Sequence, residues 1–333
     1  MRPILIDFGI NLPLLGPLDL PAYFAAIALS FLVGLTMMRR EASKLGLDRG
    51  RIYDLWLILI VWGVIGARVQ HIIADGHFHD YVNLCVDNFR VAATEAKVAH
   101  CNASSECGWD YVCNLAAHTC HPPRDCLAVF EVWRGGLAYY GGFILASLFG
   151  VLYARKHRLG MWRVADLAAP WIAFGLAVTR VGCFLNGCCY GKLSHLPWAV
   201  VFPRGSSAWE AQRAAGLITE GADALPVHPT QIYLALLNLG MFFLLFFVVR
   251  RRKRVDGQVF AWLLIMKAVL RSFVEIFRDD DRGVFFGWLS TSQILSVPLL
   301  ALGIYLLLGG LRSPWLADPP PAREGATPAR EGA

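Results

Sequence analysis

The sequence predicts an all-α fold: a polytopic membrane helical bundle of about seven transmembrane helices, with a small disulfide-rich extracytoplasmic insertion. Three observations predict it. Of 333 residues, 56% are hydrophobic and only 17% charged, with a mean hydropathy of +0.48, whereas soluble domains carry about 25% charged residues. The apolar residues gather into seven long runs flanked by short basic blocks. Six of the nine cysteines crowd into one polar stretch.

The runs are residues 20–38, 53–73, 136–153, 164–185, 229–249, 257–277 and 288–308. Each is close to the ~20 residues that cross a ~30 Å hydrocarbon layer as a helix rising ~1.5 Å per residue. Helices are expected because lipid offers no partner for backbone N–H and C=O groups. The first run follows Pro13, Pro17 and Pro21 and lacks a basic leader, so a retained span is expected.

Fourteen of the 31 Lys and Arg residues sit in three blocks, 39–51, 155–163 and 250–254. The blocks follow runs one, three and five, which places those loops in the cytoplasm. Residues 75–134, with eight acidic and four basic residues, and the triplet Asp279–Asp281 then lie outside. The expected topology places the N-terminus outside and the C-terminus in the cytoplasm. Basic blocks that abut apolar runs speak against a nucleic-acid partner. The expected domains are residues 1–74, an insertion at 75–134, a catalytic-type core at 135–310 and a disordered cytoplasmic tail at 311–333, rich in Pro, Ala and Glu.

The insertion holds Cys85, Cys101, Cys107, Cys113, Cys120 and Cys126. An even count in a short polar loop on an oxidising side points to disulfides, although the pairing stays open among fifteen possibilities. Zinc is the competing explanation, but no paired C-x-x-C occurs. No metal and no cofactor are expected. Cys183, Cys188 and Cys189 form a second group, open to packing, a disulfide or reactive thiols.

Ionisable groups inside the apolar runs are expensive, about 2.5–3.5 kcal/mol each at mid-helix on insertion scales. Arg68, Arg180, Lys267, Arg271 and Glu275 all lie there. Depth counting sends Arg68, Arg180 and Arg271 to the outer third of the bilayer, level with Tyr139, Tyr140, His228, Thr230 and Gln231. Lys267, Arg271 and Glu275 are four apart and share one helix face. One carboxylate cannot balance three guanidiniums, so a bound anion is the economical complement, and guanidinium forks suit phosphate. At that depth the phosphate at hand is a phospholipid headgroup.

These residues resemble the prolipoprotein diacylglyceryl transferase family. The resemblance is carried by Gly66-Ala67-Arg68, by Trp133 through Gly142, by Thr179-Arg180-Val181-Gly182-Cys183-Phe184-Leu185-Asn186-Gly187, and by His228-Pro229-Thr230-Gln231-Ile232-Tyr233. Arg271, Glu275 and the stretch around Gln293 continue it in order. It implies transfer of the diacylglyceryl group of phosphatidylglycerol to the lipobox cysteine of a prelipoprotein, with that signal peptide and the membrane as partners. It further implies Tyr140 and Arg271 as catalytic residues; His228, poised by type for neutral pH, is the other candidate base, or else a cap at a helix start before Pro229. Arg180, Arg68, Asn186, Gly187, Glu275 and Gln231 would bind substrate. Five positions differ from the family pattern: Tyr140 for His, Cys183 for Asn, Cys188 for an acidic residue, Lys267 for Tyr and Leu234 for Glu. The alternative is an inactive or repurposed phospholipid-binding paralogue whose insertion binds a partner. A weaker one is a thiol-redox enzyme using Cys188 and Cys189.

Overall fold

The computed structural model describes residues 4–12, 16–73, 76–91, 101–107, 112–130, 138–219, 221–278, 284–285 and 289–312. The stretch from Trp133 to Leu137, the triplet Asp279–Asp281 and the tail lie outside them, as do the side chains of Tyr139, Tyr140 and Gln293.

All seven predicted runs are helical: α1 (Ala22–Ala42), α2 (Arg49–Ile73), α4 (Tyr139–Lys156), α5 (Met161–Asn186), α7 (Thr230–Phe243), α9 (Gln258–Glu275) and α10 (Thr291–Leu308). Helix α7 runs through a π-helical turn (Leu244–Val249) into α8 (Arg250–Arg252). Four of the helical stretches, Ala22–Leu45, Arg49–Ile73, Met161–Asn186 and Thr230–Arg252, are long and apolar enough to cross a membrane. The protein is therefore an all-α membrane bundle. Among the described residues the strands form three hairpins: β1 (Ile4–Leu12) with β2 (Gly16–Pro21), β3 (Val112–Asn114) with β4 (Thr119–His121), and β5 (Val284–Phe285) with β6 (Leu289–Ser290). The short helices are α3 (Phe78–Val86) and α6 (Ser207–Ala214).

The chain divides into two compact units, residues 1–52 with 157–333, and residues 53–156. In the larger unit α5 is the pivot. Its Gly182 lets α1 approach so closely that an added Cβ would lie 2.7 Å from Ala26 Cβ, and Ser30 Oγ donates to the Gly175 carbonyl at 3.2 Å. Small residues at such crossings replace the hydrophobic drive that lipid does not supply. On its other sides α5 meets α7 and α9 through Ala169, Ala173, Met241, Leu245, Val259 and Leu263, all buried.

The basic end of this unit is closed by charge. Asp166, almost fully buried, accepts from the Gly257 N–H (2.9 Å), the Phe260 N–H (3.0 Å) and Lys253 Nζ (3.1 Å). It thereby satisfies orphan donors at the start of α9. Asp256 bridges Arg163 at 2.9 Å and Lys253 at 3.1 Å, and Arg250 pairs with Glu41 of α1. The basic blocks thus hold helix ends together as well as carrying charge.

In the smaller unit α2 and α4 cross at glycines. An added Cβ at Gly66 would collide with the Gly141 carbonyl, and one at Gly142 would lie 2.7 Å from the Gly63 carbonyl oxygen. Beyond the crossing lies the insertion, closed by Cys85–Cys126, Cys101–Cys113 and Cys107–Cys120. The last two bridges pack against each other as a small buried cluster. The six cysteines are disulfides, as the sequence predicts, and the fold selects the pairing.

Candidate functional site

The site begins where α5 ends. Gly187 adopts φ +76°, a left-handed conformation that suits glycine. The Gly187 N–H returns to the Phe184 carbonyl and the Cys188 N–H to the Cys183 carbonyl, both at 3.2 Å, which is a Schellman closure. Cys189 follows with φ +64°, uncommon for a non-glycine residue. Two side chains at the start of α7 grip this turn: Gln231 Nε2 donates to the Cys188 carbonyl at 2.7 Å and Thr230 Oγ1 to the Cys189 carbonyl at 2.8 Å. Gln231 and Thr230 are completely buried. Gly191 then threads between Phe277, His228 and Thr230, where a Cβ would come within 2.7 Å of His228 Cβ.

On α9, Arg271 Nη2 lies 2.9 Å from Glu275 Oε2, with both side chains about nine-tenths covered. Lys267, one turn earlier, is within electrostatic reach of Arg271 and of Arg180 on α5. Arg180 and the buried Arg278 both act on Cys189. Arg180 Nη1 also approaches Cys183 Sγ at 3.9 Å. Four cations therefore gather in this unit around the end of α5, and Glu275 pairs with one of them, Arg271.

Tyr23, in the first turn of α1, lies within electrostatic reach of Arg180 and of all three thiols at this end. Sequence reasoning missed it; the available signal was a phenol in the first turn of an otherwise apolar span. His228 is held by its neighbours: Nδ1 is 3.2 Å from the Tyr233 hydroxyl, which also accepts from Trp198 Nε1 at 2.8 Å, and its ring lies 5.4 Å from Phe277. Asn186 hydrogen-bonds the Cys188 thiol.

Arg68 and Tyr140 belong to the smaller unit. Arg68, 8% exposed, donates from Nε to the Val129 carbonyl at 2.8 Å and from Nη2 to the Ala128 carbonyl at 2.5 Å. Its guanidinium also lies 4.9 Å from the Tyr81 ring centre. It ties the end of α2 to the insertion. Tyr140 occupies the first turn of α4, beside Gly141, whose N–H donates to Gln70 Oε1.

A cavity of about 390 Å³ opens at the basic end, lined by Leu32, Leu35, Thr36, Arg39, Arg40 and Arg49. The cation cluster lies at the other end of α1, where Tyr23 meets Arg180.

A helical membrane bundle that gathers cationic side chains around one end of α5 defines the class, a polytopic membrane protein. The particular family follows from comparison with known proteins. The family model described as prolipoprotein diacylglyceryl transferase matches residues 10–309, and the chain belongs to that family. Among its relatives, a phosphatidylglycerol–prolipoprotein diacylglyceryl transferase of Xylella fastidiosa (strain 9a5c) is 36% identical over 222 residues, covering 61% of this chain and 72% of the relative. Proteins of the same name from Geobacter sulfurreducens and Nitratidesulfovibrio vulgaris are 29% and 30% identical. They cover 87% and 89% of this chain, and 90% and 92% of their own lengths.

Proposed function

We propose that this protein transfers the diacylglyceryl group of phosphatidylglycerol to the lipobox cysteine thiol of a prelipoprotein. The acceptor sulfur attacks the glyceryl carbon that carries the phosphodiester, a carbon–sulfur bond forms, and the carbon–oxygen bond breaks. Glycerol phosphate leaves with the bonding electrons, and the thiol proton passes to a base. The observation that carries this reading is the gathering of cations: Arg180 and Arg271 both act on Lys267, beside Glu275. A phosphodiester entering there supplies the missing negative charge, and the guanidiniums stabilise the charge that grows on the leaving phosphate.

In this reading Arg180 grips the lipid phosphate, and Glu275 aims Arg271 at the leaving oxygen. Asn186, Gly187 and Gln231 shape the turn that faces the headgroup, while Arg68 steadies the α2–insertion junction. Tyr140 is the proton acceptor and His228 the alternative. A thiol of pKa ~8.5 needs only modest activation, and a phenol near ~10 needs cationic neighbours to become a base. The protein sits in the bacterial inner membrane with its disulfide-bonded insertion on the oxidising side and its basic helix ends in the cytoplasm.

The test is reconstitution: purified protein, phosphatidylglycerol and a lipobox peptide, with the diacylglyceryl adduct read by mass spectrometry. Adduct formation that depends on Arg180 supports the proposal. Retention of phosphatidylglycerol without any adduct, in parent and in Tyr140→His alike, returns the protein to a lipid-binding role.

A further inference from the structure

Three thiols converge beside the cation cluster and have no part in the transfer chemistry. The Sγ atoms of Cys183, Cys188 and Cys189 all lie within 4.8 Å of one another, and none is in a disulfide. Five and six residues of separation would not bring them together on a continuing helix. The left-handed Gly187 folds the chain back, and Cys189 takes its own left-handed φ of +64°. Thr230 and Gln231 then fix the two adjacent carbonyls. A non-glycine residue held in this conformation by buried partners marks a turn whose shape is set from outside.

We propose that Cys183, Cys188 and Cys189 form a trigonal thiolate site for a thiophilic monovalent metal ion of the Cu(I) class. The donor set is all sulfur, which selects soft ions over Mg²⁺, Ca²⁺ or Mn²⁺. Three metal–sulfur bonds of about 2.3 Å arranged in a plane put the sulfurs about 4.0 Å apart, a spacing that falls within the 4.8 Å bounding the separations here. Charge favours a monovalent ion. Arg180 and Arg278 both act on Cys189, which disfavours a dication but complements a thiolate complex. Three thiols binding Cu(I) release three protons and leave a complex of net charge −2, matched by the two guanidiniums. Zinc fits less well, because three sulfurs leave its preferred fourth position open.

The site shares Arg180 with the transferase reading but does not rest on it, and the two are tested apart. The test uses the full chain in detergent, with ascorbate to hold copper as Cu(I) and leave the insertion's disulfides intact. Cu(I) is titrated against bicinchoninate as a competing chelator, and lipid content is measured separately on metal-free protein. The parent should take up one Cu(I) per chain. Cys189→Ser changes only a half-buried loop thiol and should lower the affinity at least tenfold while keeping the parental melting curve and lipid content. X-ray absorption of the loaded protein should show three sulfur neighbours. Equal Cu(I) uptake by the parent and Cys189→Ser overturns the proposal. So does peptide mass spectrometry, on protein alkylated before reduction, that finds a bridge between any two of the three cysteines.

Discussion

Arg180→Ala separates a ligand-binding cation from a structural one. Among the described residues no carboxylate pairs with Arg180, and its polar contact is the 3.9 Å approach of Nη1 to Cys183 Sγ. Its removal takes a positive charge away from Lys267, so the folded state should lose little or nothing. A lipid phosphate would lose a charge-assisted hydrogen bond of about 1.5–3 kcal/mol, a weakening of roughly 10- to 150-fold. Arg271→Ala is the control with the opposite balance. Its guanidinium lies 2.9 Å from Glu275 Oε2, and the two side chains are 11% and 10% exposed. Stranding that carboxylate should cost about 3–5 kcal/mol of stability. Thermal unfolding in detergent, together with quantification of bound phosphatidylglycerol, measures both effects. Arg180→Lys should recover part of the binding, because a point charge replaces a planar fork. An Arg180→Ala variant that melts as early as Arg271→Ala while holding the parental amount of lipid would refute the reasoning and make Arg180 a structural residue.

Tyr140→Phe should lower the transfer rate by about 10²–10⁴ with lipid binding retained, and Tyr140→His should preserve or raise activity; a parental rate in Tyr140→Phe shifts the base role to His228. Replacing both Cys85 and Cys126 by Ser reopens a loop of 41 residues, worth about 4 kcal/mol in the chain-entropy model, and limited proteolysis should then cut the insertion well before the helical bundle. At Asp256 burial raises the carboxyl pKa, but hydrogen bonds from Arg163 and Lys253 outweigh it and hold the group below its usual range. Its stabilising contribution is therefore complete above the unfolded value near ~3.9 and is lost as pH falls through the lower folded value. Melting curves across that acid range should show a steeper loss for the parent than for Asp256→Asn.

The helices were legible because hydropathy and length are local properties. Each of the seven apolar runs became a helix, with ends shifted by a few residues where polar groups still complete a turn. The shared face of Lys267, Arg271 and Glu275 was legible for the same reason, since a spacing of four is one helical turn. The hairpin at Ile4–Leu12 and Gly16–Pro21 escaped notice because prolines and apolar residues there carry no clear alternation.

Sequence by itself determined the bundle, the oxidised state of the insertion, the cationic stretches and the family pattern, all of which rest on composition, spacing or order. Tertiary structure decided what depends on convergence. It chose one disulfide pairing of fifteen, because pairing requires sulfurs to meet across 12 to 41 residues. It bound Arg68 to carbonyls about 60 residues away, and it put Tyr23 beside Arg180. It also gathered three thiols at the end of α5, since the reversal of direction at Gly187 and the grip of Thr230 and Gln231 are made by residues from separate helices.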